Sequence, residues 1–149
     1  MSKARELGTY AGKILQTVQM ETDSLTSSNS TTYVNTSVTL SITPSSTSNK
    51  ILGIATTAVG TDSDIVALTR VYNSTSTTVV SDVIRYTPRS SALIVNHGTH
   101  TFVHSPSSTD AQTYVVQIAS DRSATSYFNS RGGGSIASHS SIVLMEVAG

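Results

Sequence analysis

The stretch "VNTSVTLSI", residues 34–42, changes character at every step. Val34, Thr36, Val38, Leu40 and Ile42 share one side, and Asn35, Ser37, Thr39 and Ser41 the other. A period of two is the pleat of a β-strand, and no helix can satisfy it. "KILQTVQME" repeats the pattern with Ile14, Gln16, Val18 and Met20 on one face. "DIVALTRVYN" sets Ile65, Ala67, Thr69 and Val71 against Val66, Leu68, Arg70 and Tyr72. The runs "KILGIATTAV", "TTVVSDVIRY", "ALIVN", "THTFVH", "QTYVVQIAS", "TSYFNSR" and "SSIVLMEVA" read as further strands.

Between these runs lie the breaks. Pro44 cannot donate to a ladder and closes the strand before it. Gly60 reads as a second break, "DSLTSSNSTT" as a loop, and Pro88, Pro106 and "RGGGS" at 131–135 as further turns. Nine or ten short strands without a helical period predict an all-β chain, an antiparallel β-sandwich of jelly-roll-like form. No repeat of fixed period points to a solenoid or propeller.

Composition explains how such strands stay soluble. Serine and threonine supply 50 of the 149 residues, whereas charged residues are 12% of the chain, against about 25% in an ordinary soluble domain. Threonine suits a pleated surface through its branched Cβ and tolerates water without charge. Serine and asparagine bond their own backbone in turns such as "SITPSSTSNKIL", residues 41–52. Nine basic and nine acidic residues give a formal net charge of zero. No broad basic field exists to attract nucleic acid or anionic lipid. No run approaches the roughly 20 apolar residues of a membrane helix, and no apolar signal core opens the chain. A single domain is expected, large enough to bury a core without staples.

"MSKARELGTYAGKI" differs from the rest. It holds Lys3, Arg5 and Lys13, with Glu6 as its one acid. A short helix capped by Ser2 and stopped by Gly8 would not stand alone in water. Residues 1–12 are therefore expected to be a docking arm and 13–149 the β-sandwich domain. Leu7, Tyr10, Ile14 and Leu15 offer apolar contacts for assembly; Lys3 and Arg5 offer charge for acidic surfaces.

Three phrases stand together: "GKILQTVQ" near the start, "ITPSSTSNKILG" in the middle and "IVLMEVAG" at the end, with "SKARELG" opening the chain. This combination resembles small virion structural proteins of tailed bacteriophages, often described as tail-fibre proteins. The resemblance implies a homo-oligomer, a trimer by expectation, located in the virion and released by lysis. It implies a tail-fibre or receptor-contact role, with capsid decoration as the alternative, and other virion proteins and a host surface glycan as partners. It brings no catalytic motif.

The residues themselves point the same way. His97, His100 and His104 fall within "NHGTHTFVH"; His139 stands apart. On a strand, His100, Phe102 and His104 share a face, but His100 and His104 are about 13 Å apart. One metal ion, bound at about 2 Å per nitrogen, cannot take both. Only a three-fold axis could gather copies of one histidine. No metal or cofactor is assigned, and the three are read as surface or interface histidines. Asp62 and Asp64 in "GTDSD" lack the later ligands of a calcium loop. No Gly-x-Ser-x-Gly elbow, phosphate loop or paired carboxylate appears, so no enzyme activity is expected. Among the six tyrosines, Tyr33 falls on the polar face of its strand and is the best candidate for an exposed contact.

Overall fold

A computed structural model of the chain describes residues 12–61, 65–87, 94–131 and 138–149. Lys3, Arg5, Leu7 and Tyr10 of the expected arm lie outside the described residues, as do Asp62, Asp64, Pro88 and most of "RGGGS". Eleven strands appear among the described residues: β1 Ile14–Thr22, β2 Thr26–Ser28, β3 Val34–Ile42, β4 Lys50–Thr61, β5 Ala67–Asn73, β6 Thr78–Val79, β7 Ile84–Tyr86, β8 Val95–His104, β9 Gln112–Ser120, β10 Ser126–Phe128 and β11 Ser140–Val147.

They form two antiparallel sheets. In the first, the order is β1-β11-β4-β10-β2, with β8 on β4. β11 pairs with Lys50–Thr56 of β4, and β10 follows on the same flank at Val59–Thr61. β10 thus continues the place of β11, as β2 continues that of β1, and β8 runs along the other flank of β4. The second sheet runs β3-β9-β5-β6, with β7 also on β5. Successive long strands switch sheets, except where β5 passes to β6 and β7. Numbering the eight places along the chain gives orders 1-8-3-6 and 2-7-4-5, the strand order of a jelly roll.

The core gathers one alternating face from each long strand, although Ile14 and Val34, at the heads of β1 and β3, stay exposed. Val38 and Ile42 of β3, Ala67 and Val71 of β5, and Ile142 and Leu144 of β11 are buried, with Ile51, Val59, Phe102, Tyr114 and Phe128 among them. Each fully buried large side chain contributes about 1.5–3 kcal/mol by leaving water.

Local expectations needed correction in four places. Gly60 is no break: β4 runs through it, and a Cβ there would sit 2.4 Å from the Ser130 carbonyl oxygen. Close approach of two backbones, not a turn, requires that glycine. "ALIVN" and "THTFVH" do not make two strands, because β8 continues through Gly98, where a Cβ would strike the Tyr86 hydroxyl. "TTVVSDVIRY" is not one strand; it divides into β6 and β7 around Ser81, whose hydroxyl accepts the Val71 amide at 2.8 Å. "DSLTSSNSTT" contains β2, which is held by β10 rather than by its own pattern.

Candidate functional site

The inward face of β11 reads Ser140, Ile142, Leu144, Glu146. The same parity that buries two aliphatic side chains also carries a carboxylate inward, and Glu146 is 1% exposed. It lies at one end of the sandwich, beneath the turn that joins β3 to β4. Three donors meet its Oε1: the Ser45 amide at 2.6 Å, the Ser45 hydroxyl at 2.8 Å and the Asn49 side-chain amide at 2.6 Å. Gln16, opposite Glu146 in the β1–β11 register, donates to Oε2 at 2.6 Å. Gln16 also donates to the Thr43 backbone carbonyl at 2.7 Å, and the Asn49 side-chain Oδ1 accepts the Gly149 amide at 3.2 Å.

This is a clasp made of one anion and neutral donors. Among the described residues the salt bridge is Arg122–Asp121, far from it in sequence, and no cation pairs with Glu146. Burial alone would push the carboxyl up, since the charged form loses water. The hydrogen bonds from Asn49, Gln16 and Ser45 outweigh that and hold it at about 2. The carboxylate stays ionised, and its charge-assisted bonds tie together the head of β1, the β3–β4 turn and the end of β11. These elements are the three phrases singled out in the sequence: Gln16 from "GKILQTVQ", Ser45 and Asn49 from "ITPSSTSNKILG", Glu146 from "IVLMEVAG".

A second cluster lies between the sheets on the side of β8. His100 is 3% exposed. Its Nε2 meets the Thr69 hydroxyl at 2.8 Å and its Nδ1 the Ser81 hydroxyl at 3.1 Å. Thr69 donates to the Tyr86 hydroxyl at 3.3 Å, and Tyr86 in turn bonds Thr57. Further along β8, His104 Nδ1 meets the Tyr114 hydroxyl at 2.8 Å. Both histidines therefore reach from the first sheet to the second. Burial lowers both pKa values; for His100 the neighbouring Asp82 backbone offsets part of this. Burial raises Tyr86, with partial relief from Thr57 and Thr69, and raises Tyr114. This cluster is neutral. A cavity of about 120 Å³ opens beside His100, lined by Ser81, Asp82, Ile84, Thr99 and Thr101.

The expected contact residues separate accordingly. His97 is exposed. His100, expected at the surface, is buried, because the inward parity it shares with Phe102 places it between the sheets. His104 is half-buried against Tyr114. Tyr33 is half-buried, with the Arg70 guanidinium 3.8 Å from its ring centroid, so one aromatic face is already taken. Arg70 also donates to Gln117, which donates to Asn35, making a polar row across the outer side of the second sheet. Ile14 and Leu15 are exposed, 53% and 42%, at the bulged head of β1. No group of three metal-ligating side chains forms among the described residues.

No family model matches the chain, and no curated protein matches it. Its likeness is to solved structures. A crystal structure of the infectious bursal disease virus VP2 subviral particle superposes at a TM-score of 0.50 with 10% identity, over 90% of this chain and 33% of that one. A structure of the Gt strain of the same virus gives 0.47 and 11%, over 93% and 39%. Bacillus endospore appendages, a family of disulfide-linked pili, give 0.38 and 10%, over 93% and 94%. The chain spans about a third of the length of the viral chain in the first of these, and identity this low speaks to the fold alone.

Proposed function

We propose that this chain is a structural protein of a virus particle and that it works by assembling with copies of itself. The observation that carries the reading is where its reactive side chains went. Glu146, His100 and Tyr86 are consumed in clasping the sandwich, while the outer face of the first sheet is uncharged across its middle. Register places Val103 beside Leu52 and Leu52 beside Met145, with Ile54 beside Val143 in the next row. Apolar rows on an outer sheet face suit contact with other protein rather than catalysis. The viral likeness in fold supports the same reading.

Within it, the finer assignment is a tail-fibre or receptor-contact component of a bacteriophage, acting as a symmetric oligomer with three copies expected. Weak contacts repeated around the symmetry axis gain strength by effective concentration. A second reading, capsid decoration, is favoured by the flat apolar rows, which a neighbouring shell subunit would cover. Antibody-labelled electron microscopy of intact particles tests both: label on the tail supports the first, label on the head the second. Particles carrying no label would overturn the virion reading itself.

A further inference from the structure

A sandwich of two open sheets has four edge strands, and each is a row of unpaired backbone groups that invites another chain. Three of the four edges are blunted here. β1 is bulged between Ile14 and Gln16 and carries Glu21. β3 breaks register between Asn35 and Thr39, and its Ser37 hydroxyl is tied to the Ser24 carbonyl at 3.2 Å. The last edge of the second sheet is made of β6 and β7, two and three residues long. A short edge offers too few bonds to hold a partner.

β8 has none of these protections. It is ten residues long and keeps unbroken register with β4 from Val95 to His104. Its sequence, VNHGTHTFVH, contains no lysine, arginine, aspartate, glutamate or proline. Among the described residues no strand lies on its far side. Val103 stands 62% exposed beside that edge, and Val83 is exposed just before β7. Of the residues that line the cavity beside His100, Asp82 is the acidic one.

We infer that the far edge of β8 hydrogen-bonds to a strand of a second copy of this chain. This rests on the self-assembly reading and names its contact. A second copy fits for an electrostatic reason: the chain has no net charge, so two copies approach without long-range repulsion. An uncharged edge also places no like charges opposite one another, whatever strand it meets. β8 is further stiffened from behind, because His100 and His104 fasten it to the second sheet, and a rigid edge loses less entropy when it binds.

The test is association of the full chain by analytical ultracentrifugation, with backbone amide exchange across β8. The wild type is expected to associate. Amides of Val95–His104 that point away from β4 should exchange at least about tenfold more slowly in the oligomer than in dilute monomer. Val103→Lys places a charge at the contact and should weaken association at least about tenfold while leaving the circular dichroism unchanged. Thr99→Lys is a second variant, on the same strand, should the first fail to fold. An oligomer whose β8 amides gain no protection, or whose two folded lysine variants associate like wild type, would overturn the β8 contact and leave self-assembly standing. A wild type that stays monomeric at every concentration would overturn the contact too, and particle imaging would then decide the virion reading alone.

Discussion

The clasp at Glu146 and the histidine network at His100 are equally hidden from water and electrically opposite. At the clasp, four hydrogen bonds converge on one carboxylate and keep it charged. At the network, each ring nitrogen of His100 meets one hydroxyl, and burial keeps the ring neutral. Burial therefore does not decide ionisation by itself; the number and polarity of the donors do. The clasp joins three segments at the end of one sheet, whereas the network joins the two sheets across their interior. Each does a structural task that aliphatic packing cannot do in a chain so rich in hydroxyls.

The largest effect should come from Glu146→Ala. It strands the donors of Gln16, Ser45 and Asn49 in a covered site, and a loss of about 3 kcal/mol or more is expected in denaturant unfolding. His100→Ala removes a buried ring and leaves the Thr69 and Ser81 hydroxyls facing a void; about 2–3 kcal/mol should be lost in the same measurement. Ser45→Ala is milder, since the Ser45 backbone amide still reaches Glu146, and about 1 kcal/mol should go. Arg70→Lys, which exchanges a flat guanidinium over Tyr33 for a point charge, should cost about 0.5–1 kcal/mol. Equal losses for Glu146→Ala and Ser45→Ala would mean that the carboxylate is not the hub of the clasp.

How far the chain announced this can be read from the same residues. Two-residue alternation put Val38 and Ile42 on one face of β3, and Ala67 and Val71 on one face of β5, and those are the faces that pack inward. It also placed His100, Phe102 and His104 on one face. Parity alone then implied that His100 was buried once Phe102 was, an implication overridden by treating histidine as a surface residue. Glu146 carried a comparable signal, a carboxylate in the inward register of an otherwise apolar strand. Its partners carried none: Gln16 is 130 positions away and Asn49 is 97, and only folding brings them together. The short strands β2, β6, β7 and β10 have too few residues to show a period. Gly60 looked like punctuation because the Ser130–Arg131 backbone that crowds it belongs to a distant segment.

Acid unfolding tests the comparison most directly. His100 and His104 have lowered pKa values in the fold, so the unfolded chain takes up their protons first. Stability should be full above their ordinary value of about 6.5 and begin to fall as the pH drops below it. Glu146 is held at about 2, below its ordinary 4.5. Its contribution should be full above about 4.5 and disappear as the pH falls towards 2. The wild type is expected to begin losing stability below about 6.5 and to lose more between 4.5 and 2, with His100→Gln diminishing the first loss and Glu146→Gln removing most of the second. Asp121, whose carboxyl the Val66 amide also holds below its ordinary value, keeps the remainder. A wild type whose stability stays flat between pH 4.5 and 2, or a Glu146→Gln chain that loses as much there as the wild type, would contradict the charged clasp.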